Sequence, residues 1–396
     1  MKGEMNPMAD AELTAPPSPA VRAANTLTAR WCSRLGGEDF ALSGAGLWPL
    51  LALLASAADE SAGAELATAL GRPADCAAQD ALELIDILRA GVSTTAALGV
   101  WTRKDVPLHE EWAAGIPEGV VGTLTDQQAL DRWAAEQTDG LITKFPLQIT
   151  PATALVLASA LAARVKWYEP FDTRPRDRNR ESMEPDQQWL SRTTDDLWAA
   201  AVLDDAVVRV IVEGDGDLDV HLLIGDQPPG QVLSAGLREL CGEVQARPVA
   251  ESDSGRTGLE VKRVESWIQQ DILRVELPSF EIQAHHELLE QAELFGLRSL
   301  TDPVTSHLPL LSPAPLFVSD GAQDVVARFF AEGFEAAAVT AFGLCATGAP
   351  PEDCCEVTFA TVIFDRPFGF LAVHRPSRLA VVAGWVDSPF QQGAPE

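Results

Sequence analysis

The order in which helix-like and strand-like patterns follow one another constrains the fold of this chain more than any other feature. Up to about residue 150, apolar residues recur every three or four positions, which is typical of amphipathic helices. Beyond that point, short apolar runs bounded by turn residues predict β-strands that mostly follow one another directly. This order favours an α+β protein with a helical amino-terminal half and large antiparallel sheets.

Five segments carry a helical pattern. The ring of Pro49 fixes φ at a value that suits a first turn, so we expect one helix to begin after it. Glycine follows several of the segments, as it does at many helix carboxyl ends. The predicted helices are Ala20–Leu35, Leu50–Ala58, Ala62–Leu70, Asp126–Gln137 and His286–Leu297.

Strand-like runs fill most of the second half of the chain. The apolar run Ala154–Ala163 is too short to span a membrane and suits a strand that is buried on both faces. Two runs on either side of the turn-rich residues 214–217 predict a β-hairpin. The other predicted strands are Val207–Val212, Val220–Ile224, Leu273–Leu277, Phe280–Ile282, Val357–Phe364, Phe368–Val373 and Leu379–Val386.

The charge of the chain excludes several classes of partner. Its 396 residues include 58 Asp and Glu against 29 Lys and Arg, a formal net charge of −29. Such a field repels phosphate backbones, heparin-like polymers and anionic lipids. We therefore expect no nucleic acid, heparin or membrane partner.

The first 19 residues predict a disordered tail. Four prolines interrupt this segment, and it lacks the apolar run that a signal peptide needs. The six cysteines are sparse and form no CxxC pair, as expected for reduced thiols. Without an export signal, the expected compartment is the cytoplasm.

The motifs of common enzyme chemistry are missing from the sequence. It contains no GxSxG, GxxxxGK[ST] or HExxH pattern, so we expect no enzyme, no cofactor and no metal. His285-His286 are neighbours that point to different faces of a helix or strand. Residues 215–219 lack the glycine and glutamate of a calcium loop and are interpreted as a solvated hairpin tip. Cys354-Cys355 are interpreted as two free thiols, because a disulfide between adjacent residues is strained.

One segment is able to exist both as a loop and as a strand. Residues 331–357 contain many small side chains and late prolines between two strand-like runs. Loops of this length are usually functional or disordered. Yet Glu335–Ala341 is also compatible with pairing in a sheet.

Five segments, in the correct order, resemble the serpin family. The stretch Phe364–Pro389 is similar to the family's closing pattern of a Pro-Phe strand, a turn and a last strand that contains glycine. The other matching segments are Phe40–Leu66, Trp133–Ile142, Leu155–Asp172 and Arg274–Ile282. The chain is thus identified as a bacterial-like member of the serpins.

The resemblance implies a fold and a mechanism. The fold is one α+β domain over residues 20–396, with a large central mixed or antiparallel sheet, smaller sheets and an exposed reactive-centre loop at about 333–356. In the mechanism, a serine or cysteine protease cleaves the loop, and the cut loop inserts into the central sheet before the acyl-enzyme deacylates. The inserted strand gains ladder hydrogen bonds and buried surface. A monomeric serine-type endopeptidase inhibitor that acts as a suicide substrate is therefore expected.

The hinge of this loop follows the family's pattern only in part. The resemblance assigns to it Glu332, Gly333, Phe334, Glu335, Ala336, Ala337 and Ala338. Ala331 stands where an acidic residue is usual, and Phe334 replaces a small hydroxyl residue. Side chains alternate along a strand, so Phe334 would turn into the core, where an oversized residue costs roughly 1–3 kcal/mol. The alternative function is a non-inhibitory serpin-fold protein, acting as a decoy substrate or a binding protein.

The resemblance also implies a region where the central sheet opens. Trp167 matches the tryptophan at the entry point of the loop. Ser43 matches the family, whereas Gly46, Ser159 and Gln323 replace a serine, an asparagine and a histidine. Ser159 and Gln323 can exchange hydrogen bonds in a rewired network, and simple repacking of the core is the alternative.

The position of the scissile bond follows from counting along the implied loop. The family's spacing from the hinge glycine points to Thr347-Gly348, with Leu344–Ala349 as candidates. A small residue before the bond favours elastase-like or subtilisin-like proteases with shallow first pockets. Family members act inside and outside cells, so the resemblance also allows an extracellular site.

Overall fold

The computed structural model describes residues 16–117, 119–174, 188–266, 269–334 and 355–389. Within these ranges the chain forms eight α-helices and nineteen strands. The helices are α1 (Pro19–Cys32), α2 (Gly44–Ala57), α3 (Glu60–Leu70), α4 (Ala74–Ala90), α5 (Glu110–Ala114), α6 (Gln127–Gln137), α7 (Pro229–Leu240) and α8 (Ala292–Phe295). No helix of the described ranges is both long and apolar enough to cross a membrane.

The strands form four sheets. They are β1 (Phe40–Leu42), β2 (Thr94–Thr102), β3 (Val121–Thr123), β4 (Leu155–Ala163), β5 (Val165–Lys166), β6 (Asp172–Arg174), β7 (Trp189–Thr194), β8 (Ala200–Leu203), β9 (Val207–Val212), β10 (Leu218–Ile224), β11 (Arg247–Pro248), β12 (Leu259–Ser266), β13 (Ile272–Pro278), β14 (Phe280–Glu287), β15 (Ala322–Phe329), β16 (Gly333–Phe334), β17 (Cys355–Ile363), β18 (Phe368–His374) and β19 (Leu379–Val386). The predicted α+β class is confirmed by this mixture of helices and sheets.

Four predicted helices are present, with shifted bounds. α2 begins at Gly44 and not after Pro49, because Ser43 caps it. The Ser43 Oγ accepts a hydrogen bond from the Gly46 amide at 3.0 Å, which satisfies an amide that the helix itself cannot pair. Pro49 lies in the second turn, where it removes one helical hydrogen bond.

The predicted helix from His286 to Leu297 is wrong over its first half. His286 belongs to β14, which pairs antiparallel with β15, and a 3₁₀ segment follows over Leu288–Gln291. Local spacing does not reveal this pairing, because β15 is distant in sequence. α4 was missed, although its buried residues recur at helical spacing: Ala77, Ala81, Leu84, Ile85 and Leu88.

A seven-stranded sheet holds the centre of the core. Its order is β1-β19-β18-β10-β9-β8-β11, and β9 and β10 form the predicted hairpin. Every residue of β18 and β19 is buried, because α1, α2 and α7 pack on one face and the central sheet on the other. The ring centroids of Phe280 on β14 and Phe370 on β18 are 5.0 Å apart across this contact.

The central sheet is divided into two parts. One part has the order β3-β2-β4 and the other the order β14-β15-β16-β5. We call the gap between β4 and β15 the slot; among the described residues, only Gly333 and Phe334 pair between β15 and the β4–β5 side. A separate five-stranded sheet, β12-β17-β13-β7-β6, contains the strand that follows the predicted loop.

A buried histidine in the seven-stranded sheet makes the stability depend on pH. His221 lies on β10 with 6% of its surface exposed, and burial lowers its pKa from 6.5 to about 3. Between these values the unfolded chain binds a proton that the folded chain does not, so the free energy of unfolding falls as the pH falls. The loss reaches at most about 1.4 kcal/mol per pH unit for one group.

We expect His221→Leu to reduce this acid sensitivity. Urea unfolding at pH 6.5 and pH 5 should show a loss of unfolding free energy about 1–2 kcal/mol smaller than that of the wild type. His285→Gln is the control, and it should lose more unfolding free energy than the wild type over the same pH range. The reason is that hydrogen bonds to Glu287 and Asp324 raise the pKa of His285. Equal pH dependence of the wild type and His221→Leu would contradict the assignment.

Candidate functional site

The slot is lined on its core side by alternate residues of β4 and β15. On β4, Leu157, Ser159 and Leu161 are only half-buried, whereas Val156 and Ala158 on the other face are buried beside α6. On β15 the core-facing residues are Gln323, Val325, Ala327 and Phe329. When a strand is paired along only one edge, its side chains lack neighbours on the other edge and stay partly exposed. This explains the half-burial of the core-facing residues of β4.

Cavities run along the slot. A cavity of about 490 Å³ lies at its lower end, between Leu155 and Leu157 on one side and residues 315–321 on the other. Smaller cavities beside Ser159 and Gln323 continue it upwards to Phe334. Apolar cavities of this size forfeit packing contacts that a further strand would supply.

The upper end of the slot holds the first hinge residues. Phe334 pairs with Phe329 of β15 and with Val165 of β5, and Gly333 pairs with Lys166. The Phe330 amide donates to the Gly333 carbonyl at 3.0 Å, which closes the turn from β15 into β16. Gly333 and Phe334 therefore lie within the sheet and not in an exposed loop, which corrects the predicted start of the loop.

Phe334 already faces the core. Its side chain is 2% exposed, and its ring centroid lies 6.3 Å from that of Phe370. The core of the intact protein thus already accommodates the large ring whose burial was predicted to be sterically costly. Insertion of later residues does not require Phe334 to move.

Trp167 holds the turn that leads into β16. Its Nε1 donates to the Phe330 carbonyl at 2.9 Å, and its backbone amide donates to the Glu332 carbonyl at 3.0 Å. Its ring lies 4.7 Å from that of Phe329. Ala331, beside it, is 2% exposed, so an acidic side chain there would lose its solvation unless paired.

A polar cluster lies beneath the slot, where the structure brings three predicted residues together. The Gln323 side chain accepts from the Ser43 amide at 2.8 Å and donates to the Ser43 carbonyl at 3.0 Å. The Ser159 hydroxyl donates to the Gly46 carbonyl at 2.5 Å, and the Ser43 hydroxyl donates to the Val381 carbonyl at 2.6 Å. Ser159 and Gln323 thus bind the amino end of α2 separately and do not exchange the expected hydrogen bond. Trp167 is not part of this cluster.

Gly46 lies at the centre of the cluster. A β-carbon at this position would lie 3.3 Å from the Ser43 Oγ, 3.5 Å from the Ser159 Oγ and 3.6 Å from the Gln323 Nε2. The glycine therefore leaves these polar atoms room, and the cluster lacks the hydroxyl that a serine would add there.

The polar residues behind Trp167 have a structural role that the sequence reasoning missed. Asp219 is buried, and Arg375 donates to both of its carboxylate oxygens at 2.6 and 2.7 Å. Arg375 also donates to the Gly214 carbonyl at 3.1 Å, and Gly214 forms a β-bridge with Trp167. The predicted solvated hairpin tip is therefore wrong for Asp219. Arg375 lies 156 residues further along the chain than Asp219, so no local pattern indicated this pair.

His285 and His286 point to different faces of β14. His286 Nε2 lies 2.8 Å from the Ala41 carbonyl and its ring packs 5.0 Å from Trp31, while His285 contacts Asp324 on the exposed face. Burial lowers the pKa of His286. Within the described ranges, no group of three or more His, Cys, Asp or Glu residues could hold a metal ion.

Several predicted site residues lie outside the described residues. They are Glu335, Ala336, Ala337, Ala338, Thr347, Gly348 and Cys354. The chain is described again from Cys355, which begins β17. The predicted end of the loop, at about residue 356, is therefore too late by about two residues.

Comparison with known proteins gives consistent similarities. A family model described as Serpin (serine protease inhibitor) matches residues 22–180 and 251–389. The leukocyte elastase inhibitor of Bos taurus is 25% identical over 275 residues, which span 66% of this chain and 66% of that protein, just under two thirds of its length.

Two solved structures are similar over nearly the whole chain. The thermophilic serpin tengpin in its native state has a TM-score of 0.70 and 16% identity, and the match covers 98% of this chain and 96% of that one. Thyroxine-binding globulin in complex with thyroxine has a TM-score of 0.69 and 15% identity, covering 94% and 99%. At these identities the two structures show the fold alone.

We expect Gln323→Ala to destabilise the protein more than Ser159→Ala. The first change leaves the Ser43 amide without its partner, at about 1–3 kcal/mol, whereas the second removes one hydrogen bond, at about 0.5–1.5 kcal/mol. Urea unfolding of both variants at pH 7 measures the two losses. The reverse order would show that the amino end of α2 does not depend on Gln323.

Proposed function

This chain belongs to the serpin family, and from that premise we propose that it is a serine-type endopeptidase inhibitor and not an enzyme. It acts as a suicide substrate: a protease cleaves the loop, and the part of the loop before the cut enters the slot while still joined to the protease as an acyl ester. The inhibitor succeeds when insertion is faster than hydrolysis of that ester.

The observation that carries this proposal is the position of Gly333 and Phe334. They pair antiparallel with β15 on one side and with β5 on the other, at the upper end of the slot. A chain that continued from Phe334 would run between the facing edges of β15 and β4. Insertion then needs no change of direction or register.

The register at Phe334 defines which loop residues would meet which slot residues. Since Phe334 pairs with Val165 and Phe329, the same register sets Ala336 between Ala163 and Ala327 on the core face. Both neighbours are buried alanines, so a side chain at position 336 would meet an apolar environment without polar partners. The alanines of the hinge fit this environment.

The outer face of the slot supports insertion through charge. In the same register, Glu335 would lie between Arg164 of the β4–β5 connection and Arg328 of β15. Arg164 now lies 3.2 Å from Asp139, and Arg328 lies 3.0 Å from Glu281. An acidic residue arriving between two arginines gains favourable electrostatic energy at this step.

The partner we propose is a serine protease with a small first pocket, elastase-like or subtilisin-like. Two observations support it: the small residue Thr347 before the counted scissile bond, and the similarity to a protein named leukocyte elastase inhibitor. The net charge of −29 further favours a basic protease, because opposite charges speed association.

The second candidate function is a serpin-fold protein that does not inhibit. Phe334 and Ala331 favour it, because both residues depart from the hinge pattern of inhibitory members that the resemblance implies. The fold is shared with thyroxine-binding globulin, whose structure contains bound thyroxine. Such a protein would be cleaved as a decoy substrate, or would bind a ligand, without consuming a protease.

Cleavage of the loop should raise the melting temperature if the loop inserts. A strand of about ten residues gains ladder hydrogen bonds worth about 1 kcal/mol each, and each kcal/mol moves Tm of a large domain by roughly 2 °C. We therefore expect Tm to rise by well over 10 °C, and a complex with elastase or subtilisin that survives denaturing electrophoresis.

The same experiment separates the two candidate functions. Cleavage within Leu344–Ala349 with an unchanged Tm and no covalent complex would identify a decoy substrate. A catalytically inactive protease, mixed with the intact chain, is the control, since it binds without cutting.

A charge on the core face of the hinge should abolish inhibition. Ala336→Glu would carry a carboxylate between Ala163 and Ala327, where an unpaired charge costs several kcal/mol. We expect this variant to be cleaved without forming the complex. Ala337→Glu is the matched control, because in the proposed register position 337 would face outwards within diagonal reach of Arg164 and Arg328. Equal loss of complex in both variants would contradict the register.

A further inference from the structure

Two large aromatic side chains lie in solvent near Trp167. Trp198 is 74% exposed and Tyr168 is 73% exposed, more than any other aromatic residue of the described ranges. Folding normally buries most of the surface of such rings, and tryptophan and tyrosine are enriched where proteins bind one another. These two residues therefore need an explanation beyond the stability of the fold.

The two exposed rings belong to neighbouring segments. β8 and β9 are antiparallel, and their register, continued by two residues, sets Trp198 level with Val212 at the end of β9. The next residue, Glu213, accepts a hydrogen bond through its carbonyl from the Tyr168 amide at 3.0 Å. Trp198 and Tyr168 thus lie on either side of the end of β9.

Carboxylates accompany this aromatic pair. Glu169, Asp196 and Glu213 are exposed, and all three lie near the guanidinium of Arg192. Burial lowers the pKa of Arg192, and the three carboxylates oppose that shift. The Asp196 carboxylate also accepts from the Trp198 amide at 2.9 Å. We call five residues the rim: Tyr168, Glu169, Asp196, Trp198 and Glu213.

Arg192 fixes the rim from the core side. The residue is 8% exposed, and its Nη1 donates to the Glu169 carbonyl at 3.1 Å. Its guanidinium carbon lies 5.0 Å from the centroid of the Phe171 ring. A surface whose backbone is already held in place loses little conformational entropy when a partner binds to it.

One side of the rim lies where the chain enters β16. The Trp167 amide donates to the Glu332 carbonyl at 3.0 Å, and the Phe171 amide donates to the Ala331 carbonyl at 2.8 Å. The exposed residues 168–170 lie between these two contacts. Tyr168 and Glu169 are therefore neighbours of the segment from which the loop departs.

The other side of the rim lies near the strand that follows the loop. The carboxylate of Asp195, three residues before Trp198, accepts a hydrogen bond from the Gln270 side chain. Asp271, next to Gln270, accepts from the Thr358 amide of β17 at 2.7 Å. A partner that engages the loop is consequently close to the rim from both attachment points.

The chemistry of the rim defines the surface that would fit it. Arginine and lysine side chains form ion pairs with carboxylates and also bind the faces of tryptophan and tyrosine rings. In segments 166–169, 195–198 and 213–215, one exposed cation, Lys166, is outnumbered by five exposed carboxylates: Glu169, Asp195, Asp196, Glu213 and Asp215. A protein surface rich in arginine and lysine is complementary to this arrangement.

We propose that the rim is a docking surface for a basic protease, and that it contributes to the choice of protease separately from the residues at the scissile bond. The inference rests on the proposed function, since it assumes that a protease attacks the loop. A protease that holds the loop in its cleft would bring the surface beside that cleft to the rim.

The rate at which a protease attacks the loop tests the proposal. This rate is the sum of covalent complex and cleaved chain formed with time, so it is measured whether or not the loop inserts. The probes are an elastase with a basic surface and a subtilisin with a near-neutral surface. Attack by neither protease would overturn the rim together with the proposed partner, whereas an unchanged Tm after cleavage would overturn the proposed function alone.

The aromatic part of the rim is tested by Trp198→Ala. We expect the basic elastase to attack this variant at least about fivefold more slowly than the wild type, because truncation of a central tryptophan commonly weakens an interface by that much or more. Trp198→Phe should recover most of the rate. Val304→Ala is the control, since Val304 is 90% exposed outside the rim. Equal rates for the wild type and Trp198→Ala, in proteins of equal Tm, would overturn the proposal.

The charged part of the rim is tested by a triple variant with a matched control. The rim variant combines Glu169→Gln, Asp196→Asn and Glu213→Gln, and the asparagine keeps an acceptor for the Trp198 amide. The control variant neutralises three exposed carboxylates on α3, α4 and α5, through Glu60→Gln, Asp86→Asn and Glu111→Gln. Both variants therefore have the same net charge.

The two triple variants should differ only at low salt. At about 0.01 M salt we expect the basic elastase to attack the rim variant about tenfold more slowly than the control variant, and at about 1 M salt the difference should vanish. The subtilisin should attack both variants at similar rates. Equal rates with the elastase at low salt would show that only total charge acts, and would overturn the proposal.

A second copy of this chain is the other occupant that the measurements can identify. Sedimentation of the wild type and of Trp198→Ala at increasing concentration should show a monomer in both cases. A dimer that Trp198→Ala abolishes would assign the rim to self-association and would overturn the proposal.

Discussion

Two strand edges that face each other across the slot determine much of what this molecule can do. A strand edge presents amides and carbonyls that favour a ladder, yet among the described residues β4 and β15 are joined only through Gly333 and Phe334 at the upper end. The cost of this arrangement is visible in the half-buried Leu157 and Leu161 and in the cavity of about 490 Å³. A further strand in the slot would supply the missing ladder hydrogen bonds and packing contacts.

The polar cluster beneath the slot lies at the height where a descending strand would pass it. If the proposed insertion keeps the register of Phe334, residue Thr340 would come between Ser159 and Gln323. Those two side chains bind the amino end of α2 in the intact protein, and Gly46 supplies no hydroxyl between them. Under the proposed insertion, the threonine hydroxyl would supply the polar group that Gly46 lacks.

The sequence predicted the parts of this design that have a local signature. Consecutive strand patterns indicated the α+β class, and the spacing of small residues after Gly333 indicated a segment fit for a sheet. Pairing between distant segments had no such signature. The helix predicted at His286 failed because β15 turns that segment into a strand, and the start of α2 failed because the cap at Ser43 outweighs the preference of Pro49. The burial of Phe334 and the threading of β17 between β12 and β13 also depend on contacts that only the folded chain shows.

Amide hydrogen exchange of β4 and β15, measured before and after cleavage of the loop, tests most directly whether the slot receives a strand. Insertion would bury the facing edges of both strands in new ladders, so peptides covering 155–161 and 322–327 should exchange at least about tenfold more slowly in the cleaved protein, while those of β9 and β10 stay unchanged. Unchanged exchange at 155–161 and 322–327, in a chain shown to be cut within Leu344–Ala349, would contradict the mechanism.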